Sequence, residues 1–271
     1  MQEKIKIAVD AMGGDGSPKK VIEGIKLHLK KSKNCFYQIF GDKNLIIPLL
    51  NNNFVENNYE LIHTTEKVIG NDTPLGAAKR GRNTSMWLAI ESVKYGKSDI
   101  IISAGNTGAL LVLAKLNLKM IENIDKPALS ALWPNKKGMS VVLDLGANIE
   151  CSEKNLIDFS IMGSSLYKSL FKNDLPNVAL LNIGSEETKG NETIKNTYRN
   201  LLELKNNNFN FNGYIEGNNL MDGNVNVIVT DGFTGNVALK TAEGTANFIT
   251  SELKKNMTSN LIGKIATLLN Y

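Results

Sequence analysis

Lys189, Asn106 and Asp231 each stand next to or within a glycine-containing turn that follows a short apolar run. Such turns can set a side chain against an anion. In Asp99–Leu110 the β-branched run Ile100–Ile102 has the length of a buried strand. Ser103-Ala-Gly-Asn-Thr-Gly108 then breaks it with small residues, and Ala109 to Leu118 are good helix formers. A strand that turns through glycine into a helix places backbone N–H groups and a positive helix end at the strand's carboxyl edge. The same pattern recurs at Val141-Val-Leu-Asp144-Leu-Gly146-Ala-Asn148, at Leu180–Asn191 around Lys189, and at Val227–Asn236 around Asp231. In a parallel sheet such ends converge on one cleft. Turns that need positive φ would explain the glycines and asparagines alone. They explain less well why Asp144, Lys189 and Asp231 accompany them.

A lysine among the amides of Asn106, Asn148, Asn191 and Asn236 suits positioning and charge stabilisation more than covalent catalysis. Attack by inorganic phosphate on a thioester needs little else, because a thiol of pKa about 8.5 leaves without strong acid help. Other chemistries lack their residues. There is no Gly-x-Ser-x-Gly elbow, no Walker lysine and no Gly-x-Gly-x-x-Gly after the first strand. His28 falls inside a helical pattern and His63 at a strand end, both read as structural. Asp10, Asp15, Asp144 and Asp231 read as turn and cap residues rather than metal ligands, so neither metal nor cofactor is expected.

These residues need a scaffold of alternating strands and helices. Lys4 to Val9 reads as a strand ending in Asp10-Ala-Met-Gly13-Gly14-Asp15, with a helix from Pro18 to about Lys31. Strands follow at Phe36–Phe40 and Tyr59–His63, a helix at Met86–Tyr95, and an antiparallel pair at Ala128–Trp133 and Met139–Leu143. Leu156–Phe171, Glu192–Leu204 and Ala238–Lys255 read as helices, with strands at Asn177–Ile183, Phe209–Ile215 and Asn224–Thr230. The expected fold is α/β, a Rossmann-like αβα sandwich with a mainly parallel sheet. No linker or repeat interrupts the 271 residues, which are read as one domain with a helical projection around 245–271. Two cysteines in unrelated contexts suit a reducing cytoplasm, and a net charge of +4 without a basic block gives no sign of nucleic acid.

Asp10-Ala-Met-Gly-Gly-Asp15, Ser103–Leu110, Asp144-Leu-Gly-Ala-Asn148, Asn182–Asn191 and Asp231-Gly-Phe-Thr-Gly-Asn-Val-Ala-Leu-Lys240 occur in order along nearly the whole chain. Together they resemble the signatures of the bacterial fatty acid/phospholipid synthesis phosphate acyltransferases. The resemblance implies acyl transfer from acyl carrier protein (ACP) to inorganic phosphate, giving acyl phosphate for phosphatidic acid synthesis. It also implies a homodimer, a peripheral membrane link at the inner face, and a fold similar to isocitrate/isopropylmalate dehydrogenases and phosphotransacetylases. Carried onto this chain, Lys189, Asn106 and Asp231 are the catalytic candidates. The substrate-binding candidates are Asp10, Gly13, Gly14, Asp15, Ser103, Gly105, Thr107, Gly108, Asp144, Asn148, Asn191, Gly232, Gly235 and Asn236.

Two departures stand out. Gly16-Ser17-Pro18 replaces the family's His-Ala-Pro, and the chain stops at Leu269-Asn-Tyr271 where the family continues, so it is read as shortened at the C-terminus. Two alternatives stay open. One is a shortened, non-catalytic homologue that serves as an ACP- or membrane-binding scaffold, and the other is a decarboxylating dehydrogenase of related fold. The stripe Phe248, Ile249, Leu253, Met257, Leu261, Ile265, Leu268 and Leu269 reads as core or dimer contact, or as a membrane contact through Leu261 and Ile262.

Overall fold

A computed structural model describes residues 4–32, 34–50, 58–70, 72–172, 175–204 and 208–257. The chain divides into two compact units, 1–123 and 124–271. The α/β class holds, with the mainly parallel pairing carried by two sheets, one in each unit.

The first unit contains β1 (Ile5–Asp10), α1 (Lys19–Lys31), β2 (Cys35–Gly41), α2 (Lys43–Ile46), β3 (Tyr59–His63), α3 (Pro74–Arg80), α4 (Ser85–Lys94), β4 (Ile100–Ser103) and α5 (Thr107–Leu118). Its four strands are all parallel, in the order β3-β2-β1-β4. Side chains alternate across a strand. Ile7 and Val9 therefore meet Ile22 and Ile25 of α1, while Ala8 faces Ala89 of α4. On the α4–α5 side, Met86, Ile90, Ala109 and Leu113 close the layer with Ile101. Asn117 of α5 is 1 % exposed, and neither atom of its amide has a partner among the described residues. The run Ile100–Ile102 is not a fully buried strand. β4 lies at the end of the sheet order, so Ile101 is covered while Ile100 and Ile102 stay 52 % and 51 % exposed.

The second unit contains β5 (Ser130–Asn135), β6 (Gly138–Leu143), α6 (Glu153–Phe171), β7 (Asn177–Asn182), α7 (Glu192–Glu203), β8 (Asn210–Glu216), β9 (Val227–Val229) and α8 (Gly232–Met257). The strand order is β5-β6-β9-β7-β8, with β5 antiparallel to β6 as expected and the other pairs parallel. One face packs Val141, Leu143, Val178, Leu180, Val227 and Val229 against Leu156 and Phe159 of α6 and Ile194 and Leu201 of α7. The other face packs Val142, Ala179 and Ile228 with Trp133, Leu220 and Leu239.

α6 starts three residues before the sequence reading placed it, because Ser152 and Asn155 form a reciprocal cap. Its buried hydroxyls, Ser160 and Ser164, donate back to the carbonyls of Leu156 and Ser160. α8 starts six residues earlier than expected, since Asp231 accepts the Thr234 N–H and turns Gly232–Asn236 into the first helical turn. The last turns of α8 leave Phe248, Ile249, Leu253 and Met257 exposed. Leu261 and Ile262 lie outside the described residues.

Close approach of α6 to its sheet depends on Gly163. A β-carbon there would sit 2.6 Å from Val227 Cγ1 and 2.8 Å from Leu143 Cδ2. Alanine normally gains about 1 kcal/mol over glycine in a helix. Gly163→Ala should nevertheless lower stability in urea titration by about 1–3 kcal/mol, because overpacking outweighs propensity.

Candidate functional site

In the second unit the site is built on Asp144, fully buried at the carboxyl end of β6. Its Oδ1 accepts the N–H groups of Leu129, Gly146 and Ala147 at 3.0, 3.1 and 3.0 Å. Its Oδ2 accepts the N–H and the side-chain amide of Asn148, both at 2.8 Å. Five donors fill a carboxylate, so Asp144 organises the turn and has no lone pair left for a ligand. This corrects its reading as a substrate contact. Asn148 spends its amide hydrogens on Asp144 and the Pro127 carbonyl, and its own carbonyl accepts the Gly232 N–H at 2.8 Å.

Gly232 and Gly235 let the start of α8 lie against this turn. A β-carbon at Gly232 would stand 2.6 Å from the Asn148 oxygen, and one at Gly235 would collide with the Asp144 carbonyl. Asn236 adds a bond from Nδ2 to the Leu145 carbonyl at 3.1 Å. The two glycines thus serve close approach, as their residue type suggests, but what approaches is protein backbone.

Beside this brace lies a cleft of about 510 Å³, lined in part by Cys151, Asn191, Thr193, Asp231, Phe233 and Thr234. The N-termini of α7 and α8 both border it. Asn191 caps α7 through the Ile194 N–H at 2.9 Å, and Asp231 caps α8 through Thr234, whose N–H and hydroxyl take one carboxylate oxygen each. The N–H groups of Glu192, Thr193 and Phe233 come too early in their helices to have helical acceptors. They supply the positive ends of two dipoles at one cleft. Lys126 donates to the Glu150 carbonyl at 2.8 Å on the cleft wall. Burial first and the Asp144 charge second push the Cys151 thiol above its usual range, partly offset by a Gly232 backbone hydrogen bond and by Lys126.

In the first unit Asp10 plays a part like that of Asp144. It is buried, its Oδ1 accepts from Ser85 Oγ at 2.6 Å and Met12 N–H at 3.3 Å, and its Oδ2 accepts from Ser103 Oγ at 2.7 Å. Ser103 in turn accepts the Gly105 N–H at 3.1 Å. Asn106 caps α5 through the Ala109 N–H and donates its amide to the carbonyls of Gly70 and Asp72. Both of its amide hydrogens are therefore occupied, which corrects the expectation of a free donor. Gly14, Asp15, Gly105 and Asn106 line a second cleft, of about 300 Å³, with Lys67. Gly13 lies buried behind it with its carbonyl bonded by Ser17 Oγ, and Thr107 and Gly108 form the first turn of α5.

The family model described as "Fatty acid synthesis protein" matches residues 5–271. The chain belongs to this family. Among family relatives, a phosphate acyltransferase of Pelagibacter ubique is 72% identical over 270 residues, covering 100% of this chain and 81% of the relative. One of Maricaulis maris is 45% identical over 263 residues, covering 96% and 75%. The fold is also that of the EutD phosphotransacetylase from Staphylococcus aureus (TM-score 0.64, 17% identity, 90% of this chain and 83% of that one). A branched-chain phosphotransacylase from Enterococcus faecalis V583 aligns with TM-score 0.58 at 16% identity, over 88% and 83%.

Within this family member, the second unit brings together Asn191 and Asp231 at the cleft and Asp144, Asn148, Gly232, Gly235 and Asn236 behind it. Lys189 is not among the cleft's lining. It is exposed, its stem packs over Gly184, and its main chain is held by Asn182 and Glu186. Lys126 was missed by the sequence reading. Its only signal was the following Pro127, whose carbonyl ties the segment to Asn148.

The two aspartates should separate cleanly on amidation. Asp231→Asn keeps a capping oxygen and should leave stability within about 0.5 kcal/mol. In Asp144→Asn an amide NH₂ must face N–H donors whichever way it turns, and urea titration should show a loss of about 3 kcal/mol.

Proposed function

We propose that the chain transfers a long-chain acyl group from ACP to inorganic phosphate, yielding acyl phosphate for phosphatidic acid synthesis. The observation that carries this reading is the pair of helix N-termini, α7 and α8, bordering one cleft with Asn191 and Thr193 on one side and Phe233 and Thr234 on the other. Backbone N–H groups fixed by caps are preorganised donors for an anion and need no reorganisation when charge develops. The names of the relatives support the same chemistry.

In this reading a phosphate oxygen attacks the thioester carbonyl, a tetrahedral oxyanion forms, and the carrier thiolate departs as the mixed anhydride closes. Helix-end N–H groups hold the phosphate, and Lys126 at the Glu150 wall supplies the local cation. Lys189 is assigned to the incoming donor or the developing oxyanion, since its ammonium has no partner among the described residues. Asp231 keeps the α8 end in register. The Cys151 thiol stays protonated, so it neither competes as a nucleophile nor adds negative charge beside the phosphate. The exposed stripe Phe248, Ile249, Leu253 and Met257 supports a peripheral contact with the membrane's inner face, and the homodimer belongs to the same reading. No described helix is long and apolar enough to cross a membrane.

The decisive assay is acyl phosphate formation from long-chain acyl-ACP and phosphate, trapped as the hydroxamate. Failure to form it would sink the reading and favour a non-catalytic scaffold. Lys126→Ala should raise the KM for phosphate more than ten-fold, and Lys189→Ala should lower kcat more than ten-fold by removing an ammonium from the developing charge. The cleft can also be read without turnover. Cys151 should alkylate more slowly than a free thiol at pH 7.5, because its raised pKa leaves less thiolate, and the rate should keep climbing above pH 8.5. Millimolar phosphate should slow that reaction further, whereas an unchanged rate would move the anion elsewhere.

A further inference from the structure

α1 carries five lysines, Lys19, Lys20, Lys26, Lys30 and Lys31, against one acid, Glu23. Its net +4 equals the net charge of the entire chain, so the other 258 residues balance to neutrality. None of the five enters an ion pair or hydrogen bond through its side chain among the described residues. Each α-helix of the second unit holds at least one lysine in an ion pair on its own surface. In α6 Lys154 pairs with Asp158, in α7 Lys195 pairs with Glu192, and in α8 Lys240 pairs with Glu243. Like charges on neighbouring turns repel, so an unneutralised cluster is a cost that an acidic partner would remove.

The cluster also has an apolar centre. Leu27 is 60 % exposed, with Lys30 and Lys31 one turn ahead and Lys20 two turns behind on the same flank. An exposed leucine rimmed by cations is the pattern of an interface anchor with a steering rim. The helix's true apolar side, Ile22 and Ile25, is spent on the sheet. It therefore has no free face to sink into lipid, where an interfacial helix needs one. Its N-terminal turn lies at the Gly13–Ser17 segment, with the Lys20 stem over Gly16, next to the cleft lined by Gly14 and Asp15.

We propose that the exposed face of α1 is the docking surface for an acidic carrier protein bearing the acyl group. The inference rests on the acyl-transfer reading but is tested apart from it. Charge complementarity at such a surface governs encounter and salt dependence more than chemistry. Replacing Lys20, Lys30 and Lys31 together by glutamine removes the rim and touches neither Lys126 nor Lys189.

Binding of apo-ACP to the full chain is measured by titration at low salt and at about 0.5 M salt, where exposed charges are screened within a few ångströms. The wild type should bind and weaken steeply with salt. The triple variant should bind more than ten-fold more weakly at low salt, with a flattened salt dependence and an unchanged melting temperature. Leu27→Ala should weaken binding while leaving the salt slope intact. In turnover, the triple variant should raise the KM for palmitoyl-ACP with kcat preserved, and should leave a carrier-free palmitoyl thioester unaffected. Equal binding by wild type and variant, or no binding by either, overturns the proposal. So does loss with both donors alike, or loss only of binding to vesicles of phosphatidylglycerol and phosphatidylcholine, which would assign α1 to lipid. If α1-dependent ACP binding appears without any acyl phosphate, the docking surface stands and the proposed reaction falls.

Discussion

A single buried carboxylate sets the geometry of the second unit. Asp144 loses its hydration entirely, and only the five hydrogen bonds from Leu129, Gly146, Ala147 and Asn148 make that burial tolerable. Those bonds draw the lead into β5, the end of β6 and the start of α8 onto one point, because Asn148 passes the restraint on to Gly232. The α8 end that borders the cleft is thus fixed from behind by the Asn148–Gly232 backbone bond and by the Asn236 amide on Leu145, and from within by the Asp231 cap.

The first unit solves a related problem with hydroxyls. Asp10 recruits Ser85 and Ser103, one from the start of α4 and one from the end of β4, and the Ser103 hydroxyl then holds Gly105. In both units the charged residue at the strand end is consumed in bracing its turn, and in the second unit main-chain N–H groups at the starts of α7 and α8 remain at the cleft. Binding of an anion by main-chain N–H groups depends in general little on side-chain identity at the point of contact. It depends strongly on the residues one layer behind.

Much of this was legible in the sequence and some was not, for identifiable reasons. Strand ends marked by Asp, Gly and Asn located Asp10, Asp144 and Asp231, and Tyr59–His63 fell where β3 is. What residue type could not reveal was the direction in which each polar group is spent. Asn106 and Asp144 look the same in sequence whether they face a ligand or their own turn, and hydrogen-bond counting alone decides for the turn. The glycines of Gly232–Gly235 suggested a loop, yet they open a helix because tertiary proximity to Asn148 outweighs propensity. Ile100 and Ile102 read as core because an edge strand and a central one share the same β-branched signal. Lys126 carried no pattern beyond the proline that follows it.

Asn117 gives the first unit an uneven resistance to opening. Its amide sits in the α5 layer with no partner among the described residues, so each time α5 separates from α3 and α4 the group regains water and part of the penalty is refunded. α6 itself brings no such unpaired amide, since its buried Ser160 and Ser164 carry their hydrogen bonds with them on the helix. Amide hydrogens in α5 will therefore exchange with deuterium through local openings at conditions where those of α6 still wait for the second unit to unfold as a whole.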